Sequence, residues 1–296
     1  MKGAKNKIRQ GGDILAIIGT LFISLYVISL FIPIVWAVLT SLKGNEDFYY
    51  HKFALPEVWE WDNYSTAMTK MCIWVSTGKR MVPVYTYQMF FNSIIYTVGC
   101  TLASVFVHAF VAYGAARYDS FVGRLLHKIV LVTMVIPAIG TLPSEMQLVR
   151  ALGFYNNMLG MFIMKGQWLG MDFLIFYAAF KGVSKDYADA ASLDGAGHFR
   201  IMVSVIFPLV VSTISTLALL SAIAFWNDHS TSLTYMPNIP TIAYGLFRYQ
   251  FSTDNDITSI PMQLAGCMIV VIPIMIIFVI FRNKLTMNVN VGGLKG

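Results

Sequence analysis

Residues 14 to 40 contain no Asp, Glu, Lys or Arg, and the stretches 88 to 116, 129 to 144, 201 to 227 and 257 to 281 are equally free of charge. A sixth apolar stretch, 151 to 180, is interrupted only by Lys165 and Asp172. Runs of about 20 apolar residues cross a bilayer as helices, because every backbone polar group must be satisfied inside the segment. The pattern therefore predicts six transmembrane helices and an all-α polytopic membrane protein. The 129 to 144 run reaches spanning length only by borrowing Phe121, Val122, Leu125 and Leu126 from upstream, and Pro137 and Pro143 predict kinks there. The first run is longer than the roughly 7–15 apolar residues of a signal peptide, so it reads as an uncleaved helix.

The position of the few charges orients these spans. With both termini inside, segments 1–13, 117–128, 181–200 and 282–296 are cytoplasmic and carry 13 Lys+Arg in 60 residues, whereas the outer segments 41–87, 145–150 and 228–256 carry 7 in 82. That is the bias expected of a cytoplasmic face, and it assigns the net charge of +6 to topology, with no need for a nucleic acid partner. With 57% hydrophobic and 12% charged residues, the chain lacks the charge to clothe a soluble surface. Three cysteines exclude a disulfide scaffold. The organisation that results is 1–87 (basic N-terminus, first helix, outer loop), 88–281 (spans two to six) and a cytoplasmic tail, 282–296. The outer loop 41–87 is rich in aromatics and reads either as a cap in the interfacial belt or as a docking surface for an outer partner.

The cytoplasmic segment 181 to 208 is written as helix, turn, helix. Asp186 can cap a short helix whose first turn also holds Asp189; Tyr187, Ala190, Ala191 and Asp194 share a face at helical spacing. Gly195 accepts the left-handed conformation that ends a helix, and a second helix starts near Phe199 and passes Pro208.

Asp189, Ala190, Ala191, Asp194, Gly195 and Ala196, followed by Pro208, resemble the Glu-Ala-Ala signature of ABC-importer permeases. Phe91-Asn92-Ser93, Ala112-Tyr113-Gly114-Ala115-Ala116-Arg117, Leu152-Gly153, Trp226-Asn227-Asp228 and Gly292-Gly293-Leu294-Lys295-Gly296 are similar to the sugar subgroup of that family. The resemblance implies a type I ABC-importer permease fold in the cytoplasmic membrane of a prokaryote. It implies a second homologous permease subunit, two cytoplasmic ATPase subunits that bind ATP-Mg, and an extracellular solute-binding protein as partners, with no cofactor on this chain. The helix before Gly195 becomes the coupling helix that docks on an ATPase. The family's Glu is Asp189 here, one methylene shorter. Gly292, Gly293 and Lys295 read either as an ATPase-contacting tail or as a disordered end.

A charge in hydrocarbon costs at least about 2.5–3.5 kcal/mol, so Lys165 and Asp172 should face protein or water. At seven residues apart on one helix they would be too far for a direct pair. They belong either to a sugar path with Gln167, Trp168 and Phe176, or to a snorkelling lysine and a contact with the partner permease. His108 reads as an interhelical hydrogen-bond donor. No phosphate-cradling or nucleophile motif is present, so the chain reads as a transport subunit and not an enzyme. The expected function is import of a carbohydrate by alternating access. The other readings are another solute carried by the same machinery or, with only Asp172 as a buried acid, an ion-coupled transporter.

Overall fold

The computed structural model describes residues 2–78, 80–118, 121–136, 139–254 and 257–286, with side chains from residue 16 to residue 280. These residues divide into two compact units, Met1–Lys70 with Tyr249–Ile269 and Met71–Arg248 with Val270–Gly296.

In the first unit, α1 (Lys2–Ser41) contains an apolar stretch, Ala16–Ser41, long enough to cross a membrane. Its large side chains from Ile17 to Val35 are exposed, a surface that water would penalise and lipid would not. Where α1 ends, the chain is tied down by polar contacts. Asn63 donates to the Ser41 and Lys43 carbonyls at 3.0 and 2.9 Å, Ser41 bonds the Tyr64 hydroxyl at 2.7 Å, and buried Lys43 donates to the His51 carbonyl. The short helices α2 (Asn45–Tyr50) and α3 (Asp62–Lys70) frame this knot, and Phe48 and Phe53 lie about Trp36 at 6.4 and 6.3 Å.

The second unit opens with a departure from the all-α expectation. Strands β1 (Cys72–Ser76) and β2 (Met81–Tyr85) pair antiparallel, Cys72 opposite Tyr85 and Ser76 opposite Met81. Ile73 and Val75 turn inward while Trp74 and Ser76 face out, the period of two that a half-buried strand requires. Gly78, at φ +85°, makes the turn.

α4 (Thr86–Arg117) is the second helix of spanning length. The expected third span is divided. Helix α5 (Phe121–Val135) does recruit Phe121 to Leu126, but the chain breaks before α6 (Leu142–Ala151). Pro143 lies in the first turn of α6, where its missing N–H costs nothing, so it starts a helix where a kink was expected. Pro137 lies outside the described residues. The expected fourth span is divided as well, into α7 (Met158–Lys165) and α8 (Met171–Gly182), separated by a segment in which Gly170 adopts φ +130°.

Next come α9 (Asp186–Leu193), α10 (His198–Ile201), a wider π turn (Met202–Ile206), α11 (Phe207–Leu209) and α12 (Val211–Trp226). Pro208 cannot donate to the ladder; the π turn precedes it and a 78° bend follows at Val210. The chain continues through α13 (His229–Tyr235) and α14 (Ile242–Gln250) to α15 (Ile260–Thr286), the third helix of spanning length. Among the described residues, therefore, three helices are long and apolar enough to cross a membrane, or four if the bent α10–α12 pair is one span.

α4 packs most heavily against α8 and α12, then α7 and α5. Toward the C-terminal end of α4 the core is aromatic: Phe176 and Phe180 stack at 6.1 Å, Phe180 and Phe207 at 5.6 Å, and Tyr113 meets Phe180 edge-on at 5.6 Å. The α4–α5 contact needs a residue without a side chain. A Cβ on Gly123 would lie 2.9 Å from the Ala115 carbonyl oxygen and 3.1 Å from its Cα, and backbone cannot swing aside. Gly123→Ala should therefore lower stability by about 1–3 kcal/mol, the usual cost of overpacking, read as an earlier thermal midpoint of the detergent-solubilised protein; an unchanged midpoint would contradict this close approach.

Candidate functional site

The segment between α8 and α10 folds as the local sequence dictates, one residue out of step with expectation. Asp186 is the first helical residue and Lys185 the cap. Ser184 donates to the Asp186 carboxylate at 2.8 Å and accepts from its N–H at 3.3 Å. Asp186 and Asp189 both lie in the first turn, where the helix dipole favours acids.

The other end is closed by a Schellman motif. Gly195, at φ +79°, donates its N–H to the Ser192 carbonyl at 3.0 Å, and Ala196 donates to Ala191 at 3.0 Å. Gly197 is extended and leads into α10 at His198. The elbow is seated by small residues: Ala188, Ala191 and Ala196 pack on the aromatic core. Ala191 thus packs on the core, whereas Ala190, expected on the same face, is exposed. Nothing of α9 is fully buried, and the apolar side chains of Tyr187 (54% exposed), Leu193 (89%) and Phe199 (70%) project from this polar segment. Asp194 is the exposed C-cap. Asp189 lines a cavity of about 180 Å³ with Arg117, Lys185, Ser192 and His198.

Nearer the start of α4 lies a polar cluster that sequence reasoning missed. Tyr96 and Arg117 are 21 residues apart on α4, which at 1.5 Å per residue is roughly 30 Å, the thickness of a hydrocarbon layer. Asp228 caps α13, its Oδ1 accepting from the Thr231 N–H at 3.0 Å. Its Oδ2 accepts from the Thr231 hydroxyl at 2.6 Å and the Tyr96 hydroxyl at 2.9 Å, and Lys165 Nζ stands 3.3 Å away. Asp228 belongs to the Trp226-Asn227-Asp228 string, and Asp-x-x-Thr ahead of a helix was a readable cap signal. The link to Lys165 was not, since it joins segments 63 positions apart.

Lys165 closes α7 and Asp172 lies in the first turn of α8, so the two are not on one helix face as the spacing implied; the break at Gly166 to Gly170 separates them. Lys165 is ion-paired to Asp228 and does not simply snorkel. Asp172 is half-buried and has no hydrogen-bond or ion-pair partner among the described residues; Gln167 is exposed and Trp168 half-buried against the core. Phe176 is fully buried between its aromatic neighbours, so no face of its ring is open to stack on a sugar. His108 does not bridge two helices: its Nδ1 lies 2.7 Å from the Ser104 carbonyl of its own helix and its Nε2 3.4 Å from that of Leu169, in the break between α7 and α8. Gly292, Gly293 and Lys295 lie outside the described residues.

Two carboxyls here have displaced acidities. Burial pushes Asp228 up, but Lys165 and the bonds from Thr231 and Tyr96 outweigh it, and the group ends below the ordinary aspartate value. The hydroxyl of Tyr235, 2.7 Å from Glu145 Oε2, holds Glu145 below its usual value; burial and that carboxylate push Tyr235 up to about 12. A carboxyl depressed by folding contributes stability that is present above its unfolded pKa and lost as pH falls through its folded pKa. The thermal midpoint should therefore fall on acidification below the usual carboxylate range. Asp228→Asn and Tyr235→Phe should each flatten that fall, and parallel curves for all three proteins would remove the assignment.

Comparison with known proteins agrees with this architecture. The chain is 26% identical over 287 residues to the trehalose/maltose transport system permease protein of Thermococcus litoralis, covering 96% of this chain and 97% of that one. It is 24% identical over 273 residues to the diacetylchitobiose uptake system permease protein of Streptomyces coelicolor, covering 90% and 85%. Its fold matches a chain of a crystallised bacterial ABC transporter involved in the import of the acidic polysaccharide alginate, with a TM-score of 0.76, 20% identity and coverage of 93% and 97%. Residues 109–287, which hold the elbow, the bend at Val210 and the Lys165–Asp228 pair, match the profile of the binding-protein-dependent transport system inner membrane components, and the chain belongs to that family.

Proposed function

We propose that this chain is a permease subunit of an ATP-driven importer that moves a carbohydrate, best an oligosaccharide, across the cytoplasmic membrane by alternating access. The observation that carries the reading is the elbow at Gly195. Its short helix leaves Tyr187 and Leu193 in the open on a cytoplasmic segment, a cost in water that a docked partner removes. Oligosaccharide cargo is supported by the relatives, whose names give trehalose, maltose and diacetylchitobiose as what they carry.

In this reading α9 is the coupling helix, α5 belongs to the third crossing, α7–α8 and α10–α12 each form a broken one, and with α1, α4 and α15 these give six crossings with both termini in the cytoplasm. The excess of Lys+Arg in the inner segments supports that orientation. A second permease shares the path, two partner ATPases supply hydrolysis, and a solute-binding protein delivers cargo. Asp172, unpartnered at the start of α8, with Gln167 and Trp168 just before it, is the group we place on the sugar path.

The tagged chain should bring down ATP-hydrolysing subunits, and their activity in liposomes should rise with a sugar-loaded binding protein. Asp189→Lys should abolish that rise while leaving membrane insertion intact. A chain that purifies alone and transports without ATP would exclude the whole reading.

A further inference from the structure

Far from the elbow, at the start of α4, lies a groove of about 630 Å³. It is lined by Tyr87, Gln88, Phe91 and Asn92 of α4 and by Asn238 and Ile239 of the segment that joins α13 to α14. The volume falls within the roughly 300–1,000 Å³ of ordinary small-molecule sites. Its far wall is tied down at four points between 238 and 242. Asn92 Nδ2 donates to the Pro240 carbonyl at 3.0 Å, and Ser93 Oγ accepts from the Ile242 N–H at 2.7 Å. The Asn238 N–H donates to Asn156 Oδ1 at 3.0 Å, and Ser232 Oγ donates to the Ile239 carbonyl at 3.3 Å. A wall held in this way loses little further freedom when a ligand arrives.

The lining says what the ligand is. Among the described residues no charged side chain lines the groove, and three carboxamides do. Asn92, whose amide nitrogen is engaged, still offers Oδ1 as an acceptor. Gln88 Oε1 accepts from the Tyr85 N–H at 2.9 Å, which leaves its amide nitrogen to donate. The side chain of Asn238 makes no hydrogen bond among the described residues. Beside these amides Tyr87 and Phe91 are 65% and 64% exposed. Neutral donors and acceptors next to flat apolar rings match a pyranose, which carries hydroxyls around its edge and C–H groups on its faces. A cation or an anion would give up water there without meeting a counter-charge.

The groove also leads toward the charged pair described above. Gln88, Asn92 and Tyr96 are spaced four apart and share one face of α4, and the Tyr96 hydroxyl bonds Asp228. Ile239 packs on the cluster that contains Tyr96. Asn92 is thus about one turn, or roughly 6 Å along the axis, from Tyr96.

We propose that this groove is an outer carbohydrate subsite that takes one ring of a neutral oligosaccharide. The proposal rests on the orientation and cargo class given above, but its readout is sugar contact and not uptake, so the two can fail separately. The assembled complex in nanodiscs, without a solute-binding protein, is titrated with maltotriose or cellotriose and read by saturation-transfer NMR, with spermidine as the cationic control. The ring C–H protons of a trisaccharide should receive saturation, and spermidine should not. The double variant Tyr87→Ala with Asn238→Ala should raise the sugar's dissociation constant by about tenfold, the combined effect of a lost ring contact and a lost hydrogen bond. Both side chains are exposed, so their truncation leaves the buried core intact. Tyr87→Phe alone should keep the wild-type constant, because the ring face and not the hydroxyl meets the sugar. No transfer to either trisaccharide, or equal constants in wild type and the double variant, overturns the proposal whether or not the complex imports. Protection of 87–92 and 238–239 from hydrogen exchange by a sugar-free binding protein, with no saturation transfer, would assign the groove to a protein contact instead.

Discussion

Uptake should fall by at least tenfold in Gly195→Val, with the protein still inserted and its partners still assembled, whereas Gly195→Asn should keep a substantial part of wild-type activity. The argument is conformational. A Cβ at Gly195 would meet nothing within 4 Å, so space does not decide the outcome. The backbone does: at φ +79° a β-branched residue is strained by about 2 kcal/mol, whereas asparagine enters that region at a smaller cost. A penalty of about 2 kcal/mol is a factor of roughly 30 in the population of the elbow, since each 1.4 kcal/mol is tenfold. Relief of that strain lets the chain leave the Schellman geometry and breaks the bonds Gly195 to Ser192 and Ala196 to Ala191. Ala191 and Ala196 then lose their seat on the core, and α9 no longer presents Tyr187 and Leu193 at a fixed angle to α10. Insertion should be untouched, because it is the apolar helices and not the elbow that enter the hydrocarbon. Vesicle uptake together with co-purified ATPase decides the matter: equal transport by the valine and asparagine variants would show that the left-handed cap carries no force.

What could be read in the sequence followed from how local the determining interactions are. The boundaries of α9 were legible to within a residue because an acidic first turn and a cap glycine act over one helical turn, and the elbow at Gly195 lies where that glycine placed it. The hairpin Cys72–Ser76 and Met81–Tyr85 alternates as a strand should, yet five residues beside an aromatic-rich loop gave too short a period to separate from surface helix. The break between α7 and α8 was hidden for another reason. Gly166 and Gly170 in an apolar run look the same whether the helix continues or stops; in the structure Gly170, at φ +130°, is the cap from which α8 starts. Phe176 was assigned to a path because a helix apolar on all sides has no sequence signal for which face is inward; the stack with Phe180 settles it. The partner of Lys165 was beyond reach, since a pair 63 positions apart is a property of tertiary structure.

That pair carries the second large effect. Asp228→Ala should lower stability by about 3 kcal/mol and reduce uptake more than Lys165→Met does, because removing the acid strands a cation and removing the cation does not strand the acid. Asp228 has three other donors: the Thr231 N–H and hydroxyl and the Tyr96 hydroxyl. Lys165 has no second hydrogen-bond acceptor among the described residues; besides Asp228 it has the Phe225 ring 5.9 Å away and a weaker attraction to the Glu145 carboxylate. The figure sits at the low end for a broken buried pair because 31% of the Lys165 side chain and 16% of that of Asp228 reach solvent. Asp228→Asn should fall between: the amide keeps an acceptor for the Thr231 N–H and so the cap of α13, but it no longer balances the ammonium. Combining Lys165→Met with Asp228→Asn should recover stability relative to Asp228→Asn alone, and the double-mutant cycle then gives the coupling energy of the pair. Transport follows because this contact joins the break between α7 and α8, where Asp172 starts, to the corner between α12 and α13. Without it, the segment that positions Asp172 is held at α4 by packing and by the His108 contact with the Leu169 carbonyl. A cycle with no coupling, or uptake unchanged in Asp228→Ala at equal protein level, would show that the corner is pinned by the helix cap and that Lys165 is incidental.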